Sequence, residues 1–388
     1  MLVKKSLTIA VSAVVTAAIM LTGCGSTATQ KTADKKDVIR IGVYEPLTGA
    51  SASGGQMSLE GIKIANKYYP EVLGKKVELV VVDNKSEKQE AANAVERLVK
   101  DKVDVILGSY GSSLSMAGGP IARDAGIPVI GDSPTNPAVT IGNDYYSRVC
   151  FIDTFQGLVM ANFAVDNLKA KKVAIIRDVQ QDMSVAISNY FEKQLVKRTG
   201  DANAIVTVVN FNTGDKDFSA QLTEVKSKNP DVIFAPVYFL EAGILVQKAR
   251  EMGINVPILG CDAWEAEEFL NLAGKYKDIY FSTHFTAEQP ITEVSSFFLE
   301  KYKAEYPNQQ VNAFAALGFD AYMLALDAIT RAGSTDHKAI RDAIAGTKNF
   351  KGATGIITLD ANRDASKTAI IKQVKDGKFA YLTKVEPQ

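Results

Sequence analysis

The sequence predicts an α/β protein of two lobes, each a parallel sheet flanked by helices. Three observations carry this. From Val38 onward, short apolar strands alternate with amphipathic segments of helical length, the pattern of a parallel sheet covered on both faces. The 388-residue chain is also too long for one hydrophobic core. Finally, Asp104-Val105-Ile106 is echoed by Asp231-Val232-Ile233, and Pro128-Val129-Ile130-Gly131 by Pro257-Ile258-Leu259-Gly260, at nearly the same offset. Two echoes in register imply two lobes of one architecture.

Element by element, Val38–Tyr44 reads as a strand and Gly55–Tyr69 as a helix stopped by Pro70. Val77–Val82 is a strand, Glu87–Lys100 a helix and Val103–Leu107 a strand. Ligands bind such sheets beyond the carboxyl ends of their strands. The repeat therefore nominates four loops: Gly108–Ser115, Gly131–Asn136, Pro236–Glu241 and Gly260–Trp264. If the lobes face each other, these loops line one cleft.

Ahead of Val38, Lys4 and Lys5 precede a short apolar run, Leu7 to Leu21, ending in Leu21-Thr22-Gly23-Cys24. The run is shorter than the roughly 20 residues a bilayer needs, so residues 1–23 read as a signal peptide. The ending resembles a bacterial lipobox, which implies cleavage before Cys24 and lipid on its sulfur. Residues 24–37 then form a polar tether.

Composition narrows the function. The chain carries 44 basic and 44 acidic residues, and losing Lys4 and Lys5 leaves a slight acidic excess, which argues against nucleic-acid binding. Cys150 and Cys261 show no metal-like spacing and read as buried thiols rather than a disulfide. His284 and His337, the only histidines, stand beside no nucleophile or metal pattern. Gly49-Ala50-Ser51-Ala52-Ser53-Gly54-Gly55-Gln56 lacks the Lys and Ser/Thr of a phosphate loop, and Ser113 lies in no hydrolase motif. No catalytic residues, metal site or cofactor are expected; a binding cleft remains.

The four loops suit a zwitterion. Glycines and helix-start N–H groups around Ser112 and Ser113 can hold a carboxylate. Ser133 and Thr135 offer a carbonyl and a hydroxyl, Asp262 an anion for an ammonium, and Tyr238 an aromatic wall. Read plainly, the serines cap a helix, Thr135-Asn136-Pro137 is a turn, Asp262 an N-cap and Tyr238 core.

Several short motifs in order resemble the leucine/isoleucine/valine-binding family of ABC importers. They are Ile41-Gly42-Val43, Pro46-Leu47-Thr48-Gly49, Gly108 with Ser112-Ser113, Thr135-Asn136-Pro137, Asp215-Lys216-Asp217-Phe218, Gly318-Phe319-Asp320-Ala321-Tyr322 and Phe350-Lys351-Gly352-Ala353-Thr354-Gly355. The resemblance implies two Rossmann-like lobes joined by three crossover strands, near Arg148–Phe155, Tyr280–Phe285 and Ala353–Leu359. The first lobe would comprise 38–150 plus 286–354, the second 151–285 plus 355–388. It further implies that Ser113 and Thr135 bind ligand carboxylate and amino group, Ser133 offers its carbonyl, Tyr238 closes over the ligand, and Asp262, often Glu in the family, pairs with the ammonium. Gly54 stands where some members carry an aromatic and Asp182 where many have Tyr-Gly, so the pocket is enlarged or made more polar. Asp182 faces either a polar ligand group or solvent. Lys85 and Gly111 occupy the approximate positions of a disulfide found in some members. The expected protein is a monomeric, lipid-anchored receptor passing an amino acid to a permease and its ATPase subunits. A sensory receptor and a urea or short-amide binder are the alternatives.

Overall fold

The computed structural model describes residues 38–387; the expected signal peptide, Cys24 and the tether lie outside them. The first sheet holds β1 (Val38–Glu45), β2 (Glu71–Val72), β3 (Lys75–Asp83), β4 (Val105–Leu107), β5 (Val129–Gly131) and β6 (Tyr146–Arg148), in the order β2-β3-β1-β4-β5-β6. All of its pairings are parallel except β2 with β3. The second contains β7 (Val173–Asp178), β8 (Ile205–Phe211), β9 (Val232–Phe234), β10 (Ile258–Gly260) and β11 (Ile279–Thr283). A three-stranded sheet of β12 (Phe350–Gly352), β13 (Gly355–Leu359) and β14 (Ala365–Ser366) follows, before β15 (Ala369–Lys375) and β16 (Lys378–Val385) complete the second sheet. Its order is β16-β15-β11-β10-β9-β7-β8.

The internal echo is structural. β4 and β9 carry one echoed segment, β5 and β10 the other, and each pair holds the same place in its sheet. In both sheets the first strand lies between its two successors, β1 between β3 and β4, β7 between β8 and β9. Strand order therefore reverses twice, giving two switch points where ligand crevices form.

Helices α1 (Ala52–Tyr68), α2 (Lys88–Lys100) and α3 (Ser112–Asp124) follow strands of the first sheet. Helices α4 (Asp153–Asp166), α5 (Asp182–Thr199), α6 (Ser219–Ser227), α7 (Phe239–Glu251) and α8 (Glu267–Ala273) belong to the second lobe. The chain then returns through α9 (Glu293–Glu305), α10 (Ala313–Ala332) and α11 (His337–Ala345) to the first. Helix α10 is long and apolar enough to cross a membrane, but 83% of its apolar window is buried inside the protein, so it serves as core.

The expected elements recur with shifted ends. Helix α1 begins at Ala52 rather than Gly55, so Gly54 and Gly55 both lie in its first turn. A side chain at Gly55 would strike the Pro46 carbonyl, which is why glycine suits a helix start there. Helices α1 and α10 cross as closely: a Cβ at Gly61 would fall on the Ala315 carbonyl oxygen, one at Gly318 on that of Ser58. Alanine for glycine in an exposed helix gains about 1 kcal/mol. Here the sign reverses, and Gly61→Ala should cost about 1–3 kcal/mol or more through overpacking, read as a lower urea midpoint at unchanged slope.

The chain crosses between the lobes three times. Cys150 lies in the first-lobe core and Phe151 in the second. The second crossing joins β11 to α9, with Phe285 already in the first core. The third falls later than the sequence suggests: Ile357, Leu359 and Ala365 pack in the first-lobe core, and the chain enters the second sheet at Ala369. The family resemblance places the third crossover strand near Ala353–Leu359, and 355–365 with it in the second lobe. Pairing with β12 and β14 keeps β13 at home. Cys150 and Cys261 are both buried and unpaired.

Candidate ligand-binding site

The four loops nominated by the repeat meet. Tyr110, Gly111, Ser112, Ser133, Thr135, Met183, Tyr238, Asp262 and Ala263 line one cleft between the lobes, with a free volume of about 10 Å³.

On the first lobe, the chain turns out of β4 through Gly111, whose φ of 93° favours glycine, and enters α3 at Ser112. Neither serine caps the helix, so its first N–H groups remain available for an anion at the cleft floor. Ser112 Oγ accepts from the Asn136 N–H at 3.0 Å and keeps its own proton to donate. The Ser133–Pro137 loop is fixed by Arg148, fully buried at the end of β6. Its guanidinium donates to the carbonyls of Pro134 at 2.6 Å and Asn136 at 2.7 Å, and to Asp364 at 2.6 Å. Asn136 caps the short turn after it, accepting from the Ala138 N–H at 2.8 Å.

On the second lobe, Asp262 begins a short 3₁₀ turn and is 4% exposed. Its carboxylate already has partners: Gln156 Nε2 donates to one oxygen at 3.0 Å and His284 Nε2 meets the other at 3.1 Å. The opposite end of Gln156 accepts from the Asp262 N–H at 2.9 Å and from Ser282 Oγ at 2.7 Å. Burial lowers the pKa of His284, with Asp262 opposing, so a neutral ring donates from Nε2. Asp262 is thus a carboxylate held in place from behind.

A second carboxyl lies next to it. Asp153, the first residue of α4, is fully buried, and its N–H donates to the Thr135 carbonyl at 2.9 Å. Its side-chain oxygens make no direct hydrogen bond among the described residues, although the Thr135 side chain is near enough to favour the ionised form. Burial nevertheless pushes its pKa well above the usual carboxylate range, and Asp262 adds to the shift.

The remaining expected residues sit at the margins. Ser113 turns from the cleft to donate to Asp182 at 2.7 Å. Asp182, the first residue of α5, also meets Lys88 at 3.3 Å, and its carbonyl accepts from Asn136 Nδ2 at 2.9 Å. Its side chain, 44% exposed, thus stands at the rim, paired across the lobes rather than lining the cleft. Ser53 makes a similar contact, donating to Glu268 at 3.1 Å. Gly54 lies beneath the ring of Tyr110, where any side chain would collide. The space expected to open at Gly54 is filled from the neighbouring loop.

Sequence reasoning missed Asp153, Gln156, His284, Met183 and Tyr110. The acid at 153 reads as an ordinary helix-start residue, and His284 lies far in sequence from the carboxylate it serves. Tyr110 lies in the Gly108–Ser115 loop, and the missing side chain at Gly54 is the signal for it.

A periplasmic binding protein family model matches residues 38–378. The chain belongs to that family. Among solved structures it is similar to the leucine binding protein LivK of Thermotoga maritima, 42% identical over 90% of this chain and 99% of that one, with a TM-score of 0.86. It is also similar to LivJ of Streptococcus pneumoniae in complex with isoleucine, 35% identical over 90% and 100% of the two chains, TM-score 0.84. A curated relative, Leu/Ile/Val-binding protein homolog 3 of Brucella melitensis, is 28% identical over 89% of this chain and 93% of its own. The two-lobed architecture is that of a type I periplasmic binding protein.

Proposed function

We propose that this periplasmic binding protein captures an amino acid between its lobes and delivers it to the permease of an ABC importer. The polarity of the cleft carries the reading. One end offers a helix start and the Ser112 hydroxyl to a carboxylate; the other offers Thr135 and Asp262 to an ammonium, with the buried Asp153 tied to the backbone of Thr135. An isolated buried carboxylate is costly, and a cation seated beside it relieves the cost. A neutral urea or amide leaves it unrelieved. Tyr238 closes the cleft from the second lobe and Ser133 supplies its carbonyl.

Ligand bridging the two ends favours the closed state over the open one, and the permease with its ATPase subunits then receives the closed form. The protein works outside the cytoplasm as a monomer, tethered by lipid on Cys24. Its relatives' names support a branched-chain or related amino acid.

The test is a thermal-shift screen of the full chain, unfolded and refolded to remove carried-over ligand, against the proteinogenic amino acids, urea and acetamide. At about 100 times its dissociation constant an amino acid should stabilise by roughly 2.7 kcal/mol. Stabilisation by urea or acetamide, with no amino acid active, would overturn the reading.

A further inference from the structure

Two cavities of very different size lie between the lobes. The smaller is the cleft that Tyr110 helps to line. The larger, of about 640 Å³, is bounded by Ser53, Met57, Glu60, Glu268 and Asn271 among others. Ser53 and Met57 belong to the first turns of α1, and Gly54 between them carries the ring of Tyr110. The ring meets Phe314 edge-on at 4.9 Å between centroids and Tyr238 of the opposite lobe at 5.7 Å. Three aromatic rings thus form a wall from one lobe to the other. Tyr110 is 2% exposed, and its hydroxyl has no hydrogen-bond partner among the described residues.

We propose that Tyr110, seated on Gly54, is the specificity-determining residue of the cleft, selecting amino acids with a short, hydroxyl-bearing side chain, the class of serine and threonine. The proposal rests on the amino-acid reading above. A long ligand side chain meets the ring on the wall of the cleft, and Phe314 and Tyr238 hold the ring where it is. The buried hydroxyl adds a chemical preference. A ligand hydroxyl satisfies it, whereas a methyl group of the same shape leaves it unpaired.

Isothermal titration of the stripped full chain with serine, threonine, valine and leucine tests both parts, because threonine and valine differ chiefly in the hydroxyl. The wild-type protein should bind threonine about tenfold tighter than valine, the scale of one buried hydrogen bond, and leucine more weakly still. Tyr110→Phe keeps the wall and removes the hydroxyl. It should equalise threonine and valine while still disfavouring leucine. Tyr110→Ala opens the wall and should improve leucine relative to threonine by at least about tenfold. Leucine binding as tightly as threonine in the wild type, or an unchanged ranking in both variants, would overturn the proposal. Loss of the amino-acid reading itself looks different: no amino acid then binds the wild type or either variant.

Discussion

Asp153→Asn is expected to weaken amino-acid binding by about two to three orders of magnitude, the scale of removing one partner from a buried charge pair. The side chain is fully buried, its oxygens make no direct hydrogen bond although the Thr135 side chain lies near, and its backbone is tied to Thr135 on the cleft wall. Asparagine keeps the shape and loses the charge, so a structural role would leave affinity nearly intact. The sign of the pH dependence follows from its raised pKa, caused first by burial and then by Asp262. Between the ordinary carboxylate range and that raised value, the ligand-free protein holds a proton that the unfolded chain has lost. Its stability therefore falls as pH rises through this window. An arriving ammonium favours the ionised form, so binding releases a proton there and affinity rises with pH. Titration calorimetry in buffers of different ionisation enthalpy reads the release directly. In Asp153→Asn the release should vanish, and the ligand-free variant should be at least as stable as the wild type at neutral pH. Unchanged affinity with proton release intact would place the ammonium elsewhere.

What the sequence made legible was periodic or repeated. The alternation of short strands with helices located the sheets, and the echoed strands located four loops whose residues converge although they are far apart in the chain. Ser112, Ser133, Thr135, Tyr238 and Asp262 were all nominated in this way. The residues behind them follow no period. Gln156 and His284 reach Asp262 from α4 and from just beyond β11, a contact that only the packing of the second lobe creates. Position 54 shows the converse limit. A missing side chain signals space, but not which neighbour fills it, and the ring of Tyr110 lies there. Ser113 and Asp182 illustrate a third limit. The resemblance makes Ser113 a ligand contact and leaves Asp182 between ligand and solvent, yet the structure joins them to each other across the lobes.

The hinge supplies the other large effect. Arg148→Met is expected to destabilise the protein by about 3–5 kcal/mol, the usual cost of breaking a buried ion pair by removing one partner. The guanidinium is fully buried and feeds Asp364, the carbonyls of Pro134 and Asn136, and Thr140 Oγ1 at 2.9 Å. Methionine fills much of the volume but leaves Asp364 with the Thr140 hydroxyl, which donates at 2.8 Å, and no compensating charge. It also takes the guanidinium from two carbonyls of the ligand loop, leaving Pro134 with the weak Cys150 thiol and Asn136 with the Val139 N–H. The two losses separate in a second variant. Adding Asp364→Leu removes the orphaned charge and should recover much of the stability, as hydrophobic replacement of buried ion pairs often does. It restores no guanidinium to Pro134 or Asn136, so Ser133 and Thr135 stay poorly held and ligand affinity should remain low. Urea unfolding reads the first quantity and titration calorimetry the second. A double variant that regained both would make Arg148 a structural counter-charge alone. Recovery of stability without affinity would assign it the positioning of the loop, and would explain why a binding cleft places a fully buried arginine where the chain first crosses between lobes.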